Sequence, residues 1–297
     1  MTGAPSAQAS SRGHLFIDAE DLPTALEALS ERGPDLTILA GGTDVMVQYL
    51  RGDIRPTGLL HIRRLADLTE RTFGQRTSVG ALTTHWQLVS DDMFRRAHPA
   101  LAEAAATVGG RQTQNVGTIA GNLVNASPAA DLIPVMLVSD GVVTLRSISG
   151  TRDLPVADFV VGRRSTSRRP DELVTRISLE PVGPLTGETY LKMGRRAAME
   201  VAIVGLGARL TFGNDWVVRD ARVALASVGP KAFRAKEVEA RLVGSSLEDS
   251  VIREAGEMLR QAARPIDDPR ATAAYRDRIL PVLLQRALAT CRVRALN

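Results

Sequence analysis

The chain carries one cysteine, Cys291, in 297 residues, so it can form no internal disulfide and cannot hold an iron–sulfur cluster by itself. Its four histidines, His14, His61, His85 and His98, show no HExxH or paired spacing, which argues against a zinc site. Any redox chemistry would therefore need an organic cofactor. Aromatic residues are only 4% of the chain, and nearly all the positive charge is arginine, with Lys192, Lys231 and Lys236 the only lysines. Nucleic-acid binding, which calls for basic stripes interleaved with aromatics, is not expected. The richest basic patch, Arg163–Arg169, reads as a solvated loop or a partner-docking surface. No run approaches the roughly 20 apolar residues of a bilayer span, so no membrane insertion is expected. The start, MTGAPSAQASSRG, lacks the apolar core of a signal peptide. Residues 1–13 are expected to be a disordered tail, and the protein cytoplasmic.

What remains is an ordinary globular composition, 44% hydrophobic and 24% charged, long enough for more than one core. Leu22, Ala25, Leu26 and Leu29 fall at helical spacing and end near Gly33-Pro34. Leu36–Ala40 reads as a strand closed by Gly41-Gly42, Val45–Leu50 as a helix, and Gly58–Ile62 as a second strand. Further on, Ser78–Leu82 reads as a strand and Pro99–Val108 as an Ala-rich helix. Arg111–Pro128 shows no period and reads as a long functional loop. Ala129–Val138 reads as a buried helix, with strands at Val142–Arg146 and Leu173–Leu179. After Glu180–Gly187, which holds two Pro and two Gly, the pattern becomes a hairpin (Ala202–Phe212, Val217–Val228) followed by helices over 236–242, 247–263 and 272–294. That order suggests a separate α+β unit.

Two glycine-bearing segments carry the chemistry. The first, Ala40–Asp44, has neither the Gly-Lys-Ser/Thr of a Walker loop nor a GxGxxG pattern. Gly41-Gly42 bares the N–H groups of Gly42, Thr43 and Asp44, a suitable cradle for an anion, and Thr43 adds a hydroxyl. The same residues also suit a plain strand-to-helix turn capped by Thr43 or Asp44. In the second segment Thr118, Gly121, Asn122, Asn125 and Ser127 lie within ten residues, and the two amides can meet a ring edge or a ribose. Asp131 can serve as a helix N-terminal carboxylate or accept from a ribose hydroxyl. Together the loops suggest a large phosphate-containing cofactor.

At these residues the chain resembles the FAD-binding (medium) subunits of the molybdenum hydroxylases, of the xanthine dehydrogenase and carbon monoxide dehydrogenase type. The resemblance covers nearly the whole chain and rests on three ordered signatures: ILAGGTD (38–44), TIAGNLVNASPAADLIP (118–134), and YLKMGRR (190–196) leading into MEVA (199–202). It implies an α+β fold: a two-lobed α/β FAD-binding domain of PCMH type over 14–180 (lobes 14–65 and 66–180), then a C-terminal α+β domain over 186–297 with an antiparallel sheet and helices. Leu39, Ala40, Gly41, Gly42, Thr43, Asp44 and Val45 would wrap the FAD pyrophosphate. Thr118, Ile119, Ala120, Gly121 and Asn122 would form the second wall, with Asn125 close by. Asp131 would hydrogen-bond the cofactor, Val108 lie near the adenine, Val174 pack on the flavin side, and Lys192 reach it from the C-terminal domain.

No catalytic acid–base group and no metal ligand are expected in this chain, since a flavin subunit positions its cofactor. The resemblance implies a small [2Fe-2S] subunit and a large molybdopterin-binding subunit as partners, in a dimer of heterotrimers. Electrons would leave to NAD⁺, oxygen or another acceptor. The AGGTD and ASPAAD variants look closer to the xanthine dehydrogenase side. Two features depart from the family pattern: Ala120 stands where a Gly-Gly-Asn run is usual, and Glu200 where Asp is common. A self-contained FAD-dependent reductase of the same fold superfamily using NAD(P)H, or a non-enzymatic binding module using Arg163–Arg169, are the other readings.

Overall fold

The computed structural model describes residues 15–196 and 198–296; the tail expected over 1–13 lies outside them. The first unit is a three-stranded parallel sheet. Strand β1 (Leu15–Asp18) leads to helix α1 (Leu22–Arg32), then β2 (Leu36–Leu39), α2 (Val45–Arg51) and β3 (Gly58–His61), in the sheet order β1-β3-β2. Asp21 accepts from the Thr24 N–H at 2.8 Å and starts α1, which buries Ala25, Leu26 and Leu29 against Leu36 and Leu60. The connection from β2 to α2 is the Gly41-Gly42 turn, with Gly42 in left-handed backbone at φ 71°.

The second unit begins with β4 (Arg71–Thr72) and β5 (Thr77–Gly80). Six helices follow: α3 (His85–Ser90), α4 (Asp92–Ala97), α5 (Pro99–Ala106), α6 (Arg111–Val116), α7 (Ile119–Val124) and α8 (Leu132–Val138). The chain then returns through β6 (Val142–Ser147), β7 (Gly150–Pro155), α9 (Val156–Phe159), β8 (Val160–Gly162), β9 (Ser165–Thr166) and β10 (Leu173–Leu179). Strands β4-β5-β10-β6-β7 form an antiparallel sheet. The segment expected as an irregular loop, Arg111–Pro128, instead contains α6 and α7. Each is six residues long, too short to print a helical period in the sequence.

The third unit is an antiparallel sheet, β11 (Thr186–Met193), β12 (Val204–Phe212), β13 (Val218–Ala226) and β14 (Phe233–Arg234), covered by α10 (Lys236–Leu242), α11 (Asp249–Ala262) and α12 (Ala273–Ala295). A Cβ on Gly187 would lie 1.9 Å from the Cys291 carbonyl oxygen, so α12 rests on β11 at backbone contact. The whole is the mixed helix-and-sheet α+β architecture expected. Among the described residues no helix is long and apolar enough to cross a membrane.

The seam between second and third units is polar and tightly bonded. Glu103 of α5 accepts from the Thr189 hydroxyl at 3.1 Å and the Tyr190 N–H at 3.0 Å, and pairs with Arg294 of α12. Glu188 of β11 is fully buried, accepts from the Ala100 N–H at 3.1 Å and lies 3.5 Å from Arg209. Burial pushes its carboxyl up to about 7. Beside it His98, buried and tilted on Phe94 with ring centroids 5.1 Å apart, is pulled down to about 3, mainly by burial.

Candidate functional site

One cavity of about 550 Å³ opens between the first and second units, within the size range of cofactor pockets. The first wall is the turn after β2, where Ala40, Gly41, Gly42, Thr43 and Asp44 line it. A Cβ on Gly41 would lie 1.8 Å from the Val116 carbonyl oxygen, so this glycine lets the first loop seat directly on the end of α6. The N–H groups of Gly42, Thr43, Asp44 and Val45 donate to no acceptor among the described residues, while that of Met46 already donates to the Gly42 carbonyl at 3.0 Å. Four unspent donors after a left-handed glycine form an anion cradle at the start of a helix. Asp44 occupies the cap position of α2 but makes no side-chain cap bond. Burial raises its carboxyl pKa, and the charge of Arg164 works against that rise.

The second wall works differently from the first. In α7 the N–H groups of Ile119, Ala120, Gly121 and Asn122 are all spent inside the protein, on Thr83 O (2.9 Å), Ala81 O (3.3 Å), Thr118 Oγ1 (3.0 Å) and Thr118 O (3.0 Å). Gly121 leaves room for the Thr118 cap, since its Cβ would lie 2.9 Å from Thr118 Oγ1. Thr118, Ala120, Gly121, Asn122 and Asn125 line the cavity. Ala120 lies within α7 and is not among the residues with positive φ, so its methyl costs the backbone nothing. What this wall offers is side chains: the Asn122 Oδ1 is buried and has no hydrogen-bond partner among the described residues. Asn125 ties the walls together, donating to Asp44 Oδ1 at 2.9 Å and accepting from Gln48 at 3.1 Å.

The far end is closed by Asp131, Val108 and Val174, all lining the same cavity. Asp131 accepts from the Tyr190 hydroxyl at 2.6 Å and pairs with Lys192 at 3.0 Å, both on β11 of the third unit. Burial raises the Asp131 pKa against the pull of Lys192, and it drives the Tyr190 hydroxyl well above its ordinary value. Lys192 also donates to the Thr107 carbonyl at 3.0 Å and lines a separate cavity rather than the main one. Leu39, Val45 and Ile119 likewise fall outside the lining, with Ile119 fully buried in the core behind it. Glu200 lies at the lip of both cavities, held below the usual carboxylate range by the Arg195 guanidinium and the Arg196 N–H at 2.7 and 2.8 Å.

Sequence reasoning missed three arginines that line the cavity, Arg51, Arg164 and Arg168. Two of them belong to the basic patch read as a solvated or docking loop. Glu172 folds that loop inward: it takes a two-pronged bond from Arg152 at 2.5 and 2.8 Å and the Arg169 N–H at 2.7 Å. Arg168 is spent on the carbonyls of Arg169, Pro170 and Glu172, which leaves Arg164 and Arg51 as the lining arginines without such side-chain bonds among the described residues. Nothing in the spacing of the patch distinguishes these residues. Among the described residues no His, Cys, Asp or Glu cluster could hold a metal ion.

The free N–H cradle, the orphaned Asn122 oxygen and the cavity size together fit a dinucleotide. Comparison with known proteins agrees. The family model described as the FAD binding domain in molybdopterin dehydrogenase matches residues 10–181, and that of the CO dehydrogenase flavoprotein C-terminal domain matches 188–291. The chain is 32% identical over 274 residues to the glyceraldehyde dehydrogenase medium chain of Sulfolobus acidocaldarius, covering 92% of this chain and 96% of that protein. It is 28% identical over 276 residues to the xanthine dehydrogenase FAD-binding subunit of Escherichia coli O157:H7, covering 91% and 93%. Among solved structures, a chain of the carbon monoxide dehydrogenase from Hydrogenophaga pseudoflava lacking the Mo-pyranopterin moiety superposes with a TM-score of 0.90 at 26% identity, covering 94% of this chain and 97% of that one.

Proposed function

This chain belongs to the family of FAD-binding medium subunits of the molybdenum hydroxylases, and on that premise we propose how its cavity is used. It is the flavoprotein component of an oxidoreductase complex. The diphosphate of FAD rests on the free N–H groups of Gly42 to Val45, with the Thr43 hydroxyl beside it and Arg51 and Arg164 neutralising its charge. Asn122 meets a polar edge of the cofactor with its buried oxygen. Ala40 and Gly41 shape the first wall, with Leu39 and Val45 flanking it, and Thr118, Ala120, Gly121 and Asn125 the second, with Ile119 buried behind it. Val108 and Val174 supply apolar contact. Asp131, fixed by Tyr190 and Lys192, presents a carboxylate whose orientation is set from the third unit.

Bound FAD supplies a carrier that takes up electrons singly and gives them up singly or as a pair. The chain's residues hold it, orient it and exclude water from its edge. Electrons arrive from a small [2Fe-2S] subunit, which draws them from a molybdenum cofactor in a large subunit, and leave to NAD⁺, oxygen or another acceptor. The assembly is a dimer of heterotrimers in the cytoplasm. The observation that carries this reading is the anion cradle facing an unpartnered Asn122 oxygen across one cavity. The test is rapid mixing of the dithionite-reduced, FAD-loaded chain with each acceptor, alone and with its co-expressed partners. Flavin absorbance should return with at least one acceptor, and partner-bound protein should be reduced by a substrate that leaves the isolated chain oxidised. Reduction of the isolated chain by NADPH, coupled to turnover of a substrate of its own, would overturn the electron-relay reading.

A further inference from the structure

Away from the cofactor cavity a second groove of about 470 Å³ lies on the seam between the second and third units. Its floor is aliphatic and aromatic: Leu137 from α8, Val142 from β6, Val156 from α9 and Phe233 from β14. Its other lining residues include four cations, Arg76, Lys231, Arg234 and Lys236, and one carboxylate, Asp140. Two of the three lysines in the chain therefore meet here.

The charges are unevenly matched. Arg234 is spent on a two-pronged bond to Glu239 at 2.7 and 2.8 Å, and Lys236 shares that carboxylate at 3.4 Å. Asp140, in left-handed backbone at φ 43°, is taken by Arg222 at 2.8 Å and Arg234 at 3.2 Å. Among the described residues Lys231 has no carboxylate partner, and Arg76 has none within ion-pair distance, although its charge helps hold the Glu180 carboxyl down. Arg76 donates to the Asp140 and Ser178 carbonyls and the Ser178 hydroxyl, at 2.5, 3.1 and 2.8 Å. Lys231 donates to the Val160 carbonyl at 2.6 Å. Carbonyls satisfy hydrogen-bond geometry but leave the positive charge whole, and an ammonium has two further protons to give. Beside a low-dielectric floor such a charge attracts an anion more strongly than it would in water.

We propose that this groove binds a small organic anion: a carboxylate head drawn to Lys231 and Arg76, and an apolar body laid on the partly exposed Val142 and Phe233. The volume lies in the range of small-ligand pockets, which favours a molecule over a protein segment. The groove is assembled only in the folded chain, so binding also raises the melting temperature.

Titration calorimetry of the full chain with octanoate tests this, with octan-1-ol and an oligo-glutamate peptide as controls. Octanoate should bind saturably at one site per chain, equally with and without FAD, while octan-1-ol and the peptide should not. Lys231→Met should weaken octanoate at least tenfold. Ala157→Trp, at an exposed position of the groove wall, should abolish binding by filling the mouth. Both variants should keep the wild-type circular dichroism, and either one alone suffices if the other misfolds. No saturable octanoate binding, equal affinity in the folded variants, or binding of the peptide alone would overturn the proposal.

Discussion

The Cβ that Gly41 lacks would overlap the Val116 carbonyl, whereas one on Gly52 would meet nothing within 4 Å. Both glycines flank α2, so they form a matched pair of tests. Gly41→Ala should push the two loops apart, lower stability by more than about 2 kcal/mol and lose FAD retention. Gly52→Ala should cost only the left-handed backbone penalty at φ 77°, about 1 kcal/mol, and keep FAD. Urea denaturation and flavin absorbance after gel filtration read the two effects. A second residue-scale prediction concerns His98. Its folded pKa of about 3 lies below the unfolded value of 6.5, so the unfolded chain binds the extra proton first. The stability it permits is full above pH 6.5 and falls as pH drops toward 3, by up to about 1.4 kcal/mol per pH unit. His98→Phe removes the titrating ring and both unpartnered nitrogens. The fall in urea midpoint between pH 7.5 and 5 should be shallower in the variant, although His85, pulled down to about 4 by burial, keeps part of the slope.

At the scale of elements, α7 depends on one cap. Thr118→Ala removes the acceptor for the Gly121 N–H and should destabilise by about 1 kcal/mol in equilibrium unfolding. FAD affinity should drop with it, because α7 carries Asn122. Elements with a long or alternating apolar pattern were legible in the sequence: α1, β2, β3, β10, the β12–β13 hairpin and the three C-terminal helices all appear within a few residues of their expected spans. Elements without such a pattern were not. Helices α6 and α7 are below two turns, and β11 hides because its buried residues include Thr186, Glu188 and Thr189, polar groups tolerated only through partners such as Glu103 and Ala100 on a distant helix. Such pairings are tertiary and leave no period. The same reason explains the cavity. The glycine turn and the Asn-rich segment were readable, whereas the place of Arg164 at the cavity is set by left-handed backbone at φ 52° and a bond from its N–H to the Ala126 carbonyl at 2.9 Å, a tertiary contact.

At the scale of the whole molecule, the second and third units are joined across their seam by ion pairs. The Asp131–Lys192 pair crosses from the second unit to the third with both side chains about one-tenth exposed. Asp131→Asn leaves the ammonium without its counter-charge and should cost about 3 kcal/mol. Adding Lys192→Met should recover part of that loss, which a double-mutant cycle in urea would record. Additive losses would show that the two residues do not act as a pair. The polar seam ties the proposed FAD site to the third unit, because the carboxylate facing the cavity is held by Tyr190 and Lys192 of β11. The central claim, that this cavity is the FAD site, is tested most directly by the FAD dissociation constant of Asn122→Leu against wild type. The orphaned oxygen is a liability without cofactor and an asset with it. The variant should therefore unfold at the same or higher urea concentration without FAD, yet bind FAD about tenfold or more weakly. An unchanged dissociation constant in this folded variant would contradict the account.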